Sequence, residues 1–202
     1  MTGPITTHPA LSRPMRADAR RNRAAILKAA SELFAMERPD VQIDDVARRA
    51  GVGVGTVYRH FPDKEALMGE LVRARFQIFN DRLRQAIDTG GQPGGDAFDE
   101  LAGALRDCAA SVAEDAATRF AFMSGGERVF AHADAEKLEF VELAEVLVAR
   151  AHASGQLRPD FEALNIPMVM CGTCATMGKH DPGWDWRHHL ELILSGIQTE
   201  RA

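Results

Sequence analysis

Residues 43–64, IDDVARRAGVGVGTVYRHFPDK, predict two short helices separated by a tight glycine turn. Apolar residues recur at helical spacing before the turn, which predicts one buried face: Ile43, Val46, Ala47 and Ala50. We expect Gly51 to end this helix, because glycine adopts a left-handed conformation without steric cost. The second helix begins near Gly53 or Val54 and ends at Phe61. Such a helix-turn-helix is suited to placing its second helix in a DNA major groove.

The second predicted helix carries side chains that suit DNA. Thr56 can bond a base edge or a phosphate, and Tyr58 offers its ring and hydroxyl to the sugar-phosphate backbone. Arg59 can bind a guanine through two hydrogen bonds or neutralise a phosphate. Val57 and Phe61 are expected to face the core. The residues predicted to contact DNA are Gln42, Val54, Gly55, Thr56, Tyr58, Arg59, His60 and Lys64.

The net charge of −5 is unevenly distributed along the chain. Residues 1–62 contain 10 Lys and Arg against 6 Asp and Glu, whereas residues 63–202 contain 14 against 23. The basic excess is concentrated in Arg13, Arg16, Arg20, Arg21, Arg23 and Lys28. Because phosphate attraction requires a local positive face rather than a positive total, the first part of the chain remains compatible with DNA binding.

Composition and periodicity predict an all-α protein. The chain has 202 residues, 46% of them hydrophobic, which suits one large or two small folded domains. No segment shows the two-residue alternation of a strand or an apolar run of membrane-spanning length. Residues 1–15 lack the apolar centre of a signal peptide and are expected to form a disordered arm. Three cysteines suggest no disulfide framework, so we expect a cytoplasmic location.

The predicted helices divide the chain into a helix-turn-helix domain, residues 16–62, and a second domain, residues 63–202. Asp63 is expected to cap a long helix that joins the two. The predicted helices cover residues 17–37, 43–50, 54–61, 63–88, 96–115, 118–122, 134–154, 161–177 and 184–199. The intervening TGGQPGG run, residues 89–95, is expected to be a linker.

The helix-turn-helix segment and the helix before it resemble the TetR family of bacterial transcriptional regulators. The resemblance covers roughly residues 17–71, and Gly53 departs from it where many members have Ser. Its residues are Ile26-Leu27, Ala29-Ala30, Leu33-Phe34, Ala47, Ala50-Gly51-Val52, Gly55-Thr56-Val57-Tyr58, His60-Phe61 and Lys64-Glu65-Ala66-Leu67.

The resemblance implies a homodimeric repressor that binds a palindromic DNA operator without a cofactor. A small apolar effector in the second domain would release the DNA. The pocket residues expected for that effector are Leu101, Leu105, Cys108, Phe120, Met123, Leu143, Leu147 and Met168. The residues expected at the dimer interface are Gly172, Ala175, Trp186, Leu190, Ile193, Leu194 and Ile197.

Three other functions compete with this interpretation. Cys171 and Cys174 lie one helical turn apart and, with a histidine, would suit a Zn²⁺-sensing regulator. A second alternative is a helical scaffold that binds protein partners and in which the helix-turn-helix is inert. An enzyme is the least favoured, because no nucleophile motif accompanies the histidines.

Overall fold

A computed structural model describes residues 12–36, 40–91, 96–177 and 183–199. Within these ranges the chain forms ten α-helices and a short 3-10 helix, Ala163–Asn165. The α-helices are α1 Ser12–Phe34, α2 Ile43–Ala50, α3 Val54–His60, α4 Lys64–Thr89, α5 Ala97–Ala113, α6 Ala116–Ser124, α7 Glu127–Ala131, α8 Asp134–Ala153, α9 Ile166–Thr176 and α10 Trp186–Ile197. The described residues contain no strand beyond an isolated bridge between Leu157 and Gln198, so the all-α prediction is confirmed.

Three helix predictions are corrected by the structure. Residues 1–11 of the expected arm lie outside the described residues, but α1 already begins at Ser12. Pro14 does not prevent this, because the first turn of a helix needs no backbone donor. Helix α7 was missed, since five residues are too few for a periodic pattern. The helix predicted over residues 161–177 begins only at Ile166, with Pro167 in its first turn.

The helix boundaries have local causes that are visible in the sequence. Gly51 ends α2 with φ of 69°, the left-handed conformation that favours glycine. Asp63 caps α4 as predicted, because its Oδ1 accepts the N–H of Ala66 at 2.8 Å. Asp96, Asp115 and Asp185 cap α5, α6 and α10 in the same way. These caps fix where each helix begins.

The chain packs around two hydrophobic cores that share α4. The N-terminal core includes Ile26, Phe34, Val46, Val57, Phe61, Leu67, Val72, Ala121 and Val129. The C-terminal core includes Phe79, Leu83, Leu101, Leu105, Cys108, Phe140, Leu147, Ile166, Leu190 and Leu194. Residues on both sides of the predicted boundary at residue 62 pack together, because α4, α6 and α7 contribute side chains to the N-terminal core. None of the described helices has the length and apolarity needed to cross a membrane.

We predict that Leu147→Ala lowers the free energy of unfolding by about 2–5 kcal/mol, because Leu147 is fully buried in the C-terminal core. The matched control is Leu138→Ala in the same helix, which changes it by less than about 0.5 kcal/mol because Leu138 is 62% exposed. Thermal and urea unfolding measure both. Equal effects of the two substitutions would contradict the packing of α8.

Candidate DNA-binding surface and effector cavity

Helix α3 presents one face to solvent and buries the other. Val57 is fully buried and Phe61, directly after the helix, is 3% exposed, as the sequence predicted. Tyr58 is 50% exposed, Val54 is 37% exposed, and Arg59 is also exposed. The turn before α3 is closed by the N–H of Val52, which donates to the Ala47 carbonyl at 3.1 Å. A short helix, packed on one side against the core, thus carries a row of outward side chains.

The remaining residues predicted to contact DNA lie around α3. Gln42 opens α2 as an exposed residue, and its Nε2 donates to the Asp40 carbonyl at 3.0 Å. Gly55 is exposed, whereas Thr56 and His60 are half-buried in α3. The Lys64 ammonium lies 5.8 Å from the centroid of the Phe34 ring. The first turn of α4 is therefore held against the N-terminal core.

The basic residues of α1 differ in their surroundings. Arg20, Arg21 and Lys28 are exposed. Arg23 instead pairs with Glu70 of α4 at 2.7 Å, and its guanidinium lies 5.4 Å from the Phe61 ring centroid. Burial alone raises the pKa of Glu70, but hydrogen bonds and charge from Arg73 and Arg23 leave it below its usual value. Arg23 therefore helps to join α1 to α4. The side chains of Arg13 and Arg16 lie outside the described residues.

A cavity of about 240 Å³, partly open to solvent, lies between the two cores and is lined by residues of α4 to α9. Its lining is almost entirely apolar and aromatic: Phe76, Phe79, Val112, Phe122, Met123, Phe130, Lys137, Phe140, Val141, Pro167, Met170, Cys171 and Cys174. Phe76 makes edge-to-face contacts with Phe79, Phe122 and Phe140 at centroid distances of 5.6, 6.0 and 5.8 Å. Phe122 and Phe130 stack with nearly parallel rings, 5.9 Å apart. Such a lining is typical of sites for small apolar molecules.

Of the eight expected pocket residues, Met123 lines this cavity. The structure places four others in the closed C-terminal core: Leu101, Leu105, Cys108 and Leu147. Leu143 packs half-buried against the same core, whereas Met168 is 70% exposed. Phe120 stacks on Phe34 of the N-terminal core, with ring centroids 5.9 Å apart. Helical spacing identifies a buried face, but it does not distinguish a filled core from the wall of a void.

The residues expected at the dimer interface also divide into two groups. Leu190, Leu194 and Ile197 are buried in the C-terminal core of their own chain, because α10 packs against α9 and α5. Trp186, Ile193 and Gly172 are half-buried and Ala175 is exposed. The large apolar side chains that remain exposed near these helices are Leu164, Met168, Trp184 and Leu192, which are 52–70% exposed. The burial of Leu190, Leu194 and Ile197 is thus accounted for within one chain, and the role of the other residues in a dimer stays a prediction.

The cysteine pair lies in the cavity wall. Cys171 is exposed and Cys174 is buried. Burial, with a smaller effect of Cys171, raises the pKa of the Cys174 thiol to about 12, so the thiol is protonated at neutral pH. Among the residues that the structure describes, no group of three His, Cys, Asp or Glu side chains is arranged to hold a metal, and His180 lies outside them. The zinc-sensor alternative gains no support.

Helices α6 and α7 connect the cavity to the helix-turn-helix. Phe76 and Phe122 line the cavity and pack against both cores. Arg75 of α4 forms an ion pair with Asp115, the N-cap of α6. Burial alone raises the pKa of Asp115, but hydrogen bonds from Thr118 and the Arg75 charge hold it below its usual value. In α7, Arg128 pairs with Asp63, the N-cap of α4, at 2.8 Å. Helices α6 and α7 therefore contact both the cavity and the elements that form the N-terminal core.

Comparison with known proteins agrees with this architecture. Residues 26–71 match the family model described as bacterial regulatory proteins, tetR family. An HTH-type transcriptional regulator of Staphylococcus aureus (strain USA300) is 36% identical over 75 residues, which cover 37% of this chain and 40% of that relative.

Solved structures extend the likeness beyond the helix-turn-helix. A TetR transcription regulatory protein from Mycobacterium vanbaalenii is 31% identical, with a TM-score of 0.56 over 92% of this chain and all of that one. The regulator FadR from Bacillus subtilis, solved with stearoyl-CoA, is 21% identical, with a TM-score of 0.67 over 87% of this chain and 99% of that one. At that identity the second match shows the fold alone.

The likeness to the Mycobacterium protein covers 92% of this chain and therefore extends well beyond the helix-turn-helix. It agrees with the family model over α1 to α4 and with the described all-α architecture. The chain therefore belongs to the TetR family of bacterial transcription regulators.

Proposed function

We propose that this protein is a repressor that binds a palindromic operator as a homodimer and leaves it when a small apolar molecule fills the cavity. The observation that carries the proposal is the outward face of α3. Its donor side chains project from a helix whose opposite face is packed into the core through Val57 and Phe61. Specific DNA recognition needs such a preformed row of donors, since each base edge is read at hydrogen-bond distance.

The exposed face of α3 supports a division of roles among its side chains. Arg59 and Thr56 would bind base edges, and Val54 is sufficiently exposed to contact a thymine methyl group. Tyr58 and His60 would bind phosphates, together with Gln42 at the start of α2. Lys64 would add charge at the start of α4, beside amide donors of the helix terminus.

We predict that Arg59→Ala weakens binding to the operator by about 1–3 kcal/mol and relaxes sequence preference at one position of each half-site. The operator is first recovered by sequencing genomic fragments that the intact protein captures, and fluorescence anisotropy then measures affinity. The control is Arg158→Ala, which removes an exposed arginine that pairs with Asp160 in the second part of the chain. If Arg59→Ala leaves operator affinity unchanged, α3 does not read DNA in this way.

Dimerisation is expected because a helix of seven residues reads too few base pairs for useful specificity. The exposed apolar side chains of α9, α10 and their flanks supply a surface for it. Leu164, Met168 and Leu192 are each at least 60% exposed, and Ala175 leaves space for a close approach. Two-fold symmetry would place this surface against its own copy.

We predict that Met168→Glu makes the protein monomeric in sedimentation velocity, because dimerisation would then bury a charged group without a partner. Leu138→Glu is the control: Leu138 is 62% exposed in α8, which is not part of the proposed surface, and we expect the variant to remain dimeric. A Met168→Glu variant that sediments as a dimer would exclude this surface.

Release of DNA would follow from a ligand that binds one arrangement of the helices better than another. The aromatic walls of the cavity belong to α4, α6, α7 and α8. A ligand that separates these walls would act on the N-terminal core through the Phe34–Phe120 stack and through α4. The two recognition helices of the dimer would then no longer fit successive turns of the duplex.

We predict that indole, a neutral aromatic probe, binds the wild-type protein and that Val141→Trp lowers its affinity about tenfold or more, because the new ring fills the cavity. Val146→Trp is the matched control in the same helix, since Val146 is 40% exposed and does not line the cavity. Isothermal calorimetry measures both. Equal binding to the two variants would show that the probe binds elsewhere.

A further inference from the structure

We infer that the effector is an amphipathic carboxylate, whose apolar body enters the phenylalanine-lined cavity while its charge binds the ammonium of Lys137. The inference rests on the proposed effector site and specifies the chemistry of its ligand. The observation behind it is that Lys137 lies in a cavity lining that is otherwise uncharged.

Lys137 is the one charged residue among the described side chains that line the cavity. Its Nζ lies 5.8 Å from the centroid of Phe130, which is also a lining residue. The ammonium therefore lies beside an aromatic ring of the cavity wall, at a position that the ring face favours, and is also partly exposed to solvent. A ligand held among the phenylalanine rings would have its polar end within reach of Nζ.

The present partner of Lys137 is weakly held. Its Nζ is 3.1 Å from Oδ1 of Asp134, which lies three residues earlier in α8. The Asp134 side chain is 68% exposed and that of Lys137 is 38% exposed, so water screens the pair and it contributes little stability. A ligand carboxylate can displace Asp134, because burial of the ligand's apolar body in the cavity adds to its binding free energy.

The next carboxylate along α8 does not compete for Lys137. Glu136 accepts from Arg73 at 3.2 Å and from Gln77 at 3.3 Å. Hydrogen bonds that Arg73 donates to Glu70 and Glu136 raise the pKa of Arg73, despite an opposing effect of burial, so its charge is already paired with two carboxylates. An incoming anion would therefore find Lys137, and not Arg73, as its partner.

The cavity also limits the size of the ligand's body. Its volume is about 240 Å³. Since an apolar cavity of about 150 Å³ can hold a benzene molecule, this space accommodates an aromatic ring with a short chain. The edges and faces of five phenylalanine rings suit an aromatic ring, which prefers edge-to-face and offset contacts. An arylalkyl carboxylate satisfies the size, the aromatic contacts and the charge together.

The test compares three probes that share one apolar body: 4-phenylbutyrate, 4-phenylbutanamide and 4-phenylbutylamine. Calorimetry on the full chain is expected to give the carboxylate about tenfold higher affinity than the amide, with the amine weakest. Lys137→Met retains a side chain of similar length without the charge. It should lower carboxylate affinity about tenfold and change amide affinity by less than about twofold.

Two further variants separate the local charge from general electrostatics. Asp134→Asn removes the competing partner and should raise carboxylate affinity. Arg84→Met removes a positive charge between α4 and α8, where Arg84 pairs with Asp81 and Glu139. It should leave the affinities of all three probes unchanged.

The outcomes distinguish this inference from the proposed function beneath it. If carboxylate and amide bind the wild type equally, or if Lys137→Met weakens both equally, Lys137 does not select an anion, although the cavity still binds apolar molecules. If indole binds but none of the three probes does, the inference is likewise overturned. If indole also fails to bind, the proposed effector site itself is wrong.

Discussion

Both hydrophobic cores include residues of a single helix, α4. This shared burial fixes how the helix-turn-helix is attached to the rest of the chain. Leu67 and Val72 in its first half belong to the N-terminal core, whereas Phe79 and Leu83 in its second half belong to the C-terminal core. With 26 residues, the helix is about 39 Å long. Because its two halves pack in different cores, a movement of this helix would alter the packing of both.

A second connection lies beside the first. Helices α6 and α7 contribute Ala121 and Val129 to the N-terminal core, while Phe122 and Phe130 form a wall of the cavity. The cavity is therefore located where the two cores meet. A ligand there would contact the same short helices that support α1 through the Phe34–Phe120 stack. Effector binding and DNA binding would thus compete for one set of packing contacts, which is the physical basis of the coupling we propose.

Much of the N-terminal part could be predicted from the sequence, because its signals are local. The left-handed Gly51, the Asp63 cap and the buried faces at Val57 and Phe61 each follow from a residue's own conformational or hydrophobic preference. The exposed face of α3 follows from the same periodicity. The beginning of α1 at Ser12 was missed. A proline usually marks a position outside a helix, and only the structure shows that Pro14 lies in the first turn, where it is tolerated.

The sequence alone determined the all-α class, the helix-turn-helix and the outward side chains of α3, since all of these depend on neighbours a few residues apart. Tertiary structure decided which buried residues line a cavity and which fill a core. Leu105 and Val112 share one buried side of α5, yet Val112 lines the void and Leu105 does not. It also placed Leu190 and Leu194 inside their own chain and left Met168 exposed. These outcomes depend on how α9 and α10 pack against helices distant in sequence. Hydrophobic spacing predicts that a helix face is buried, but not which other helix buries it.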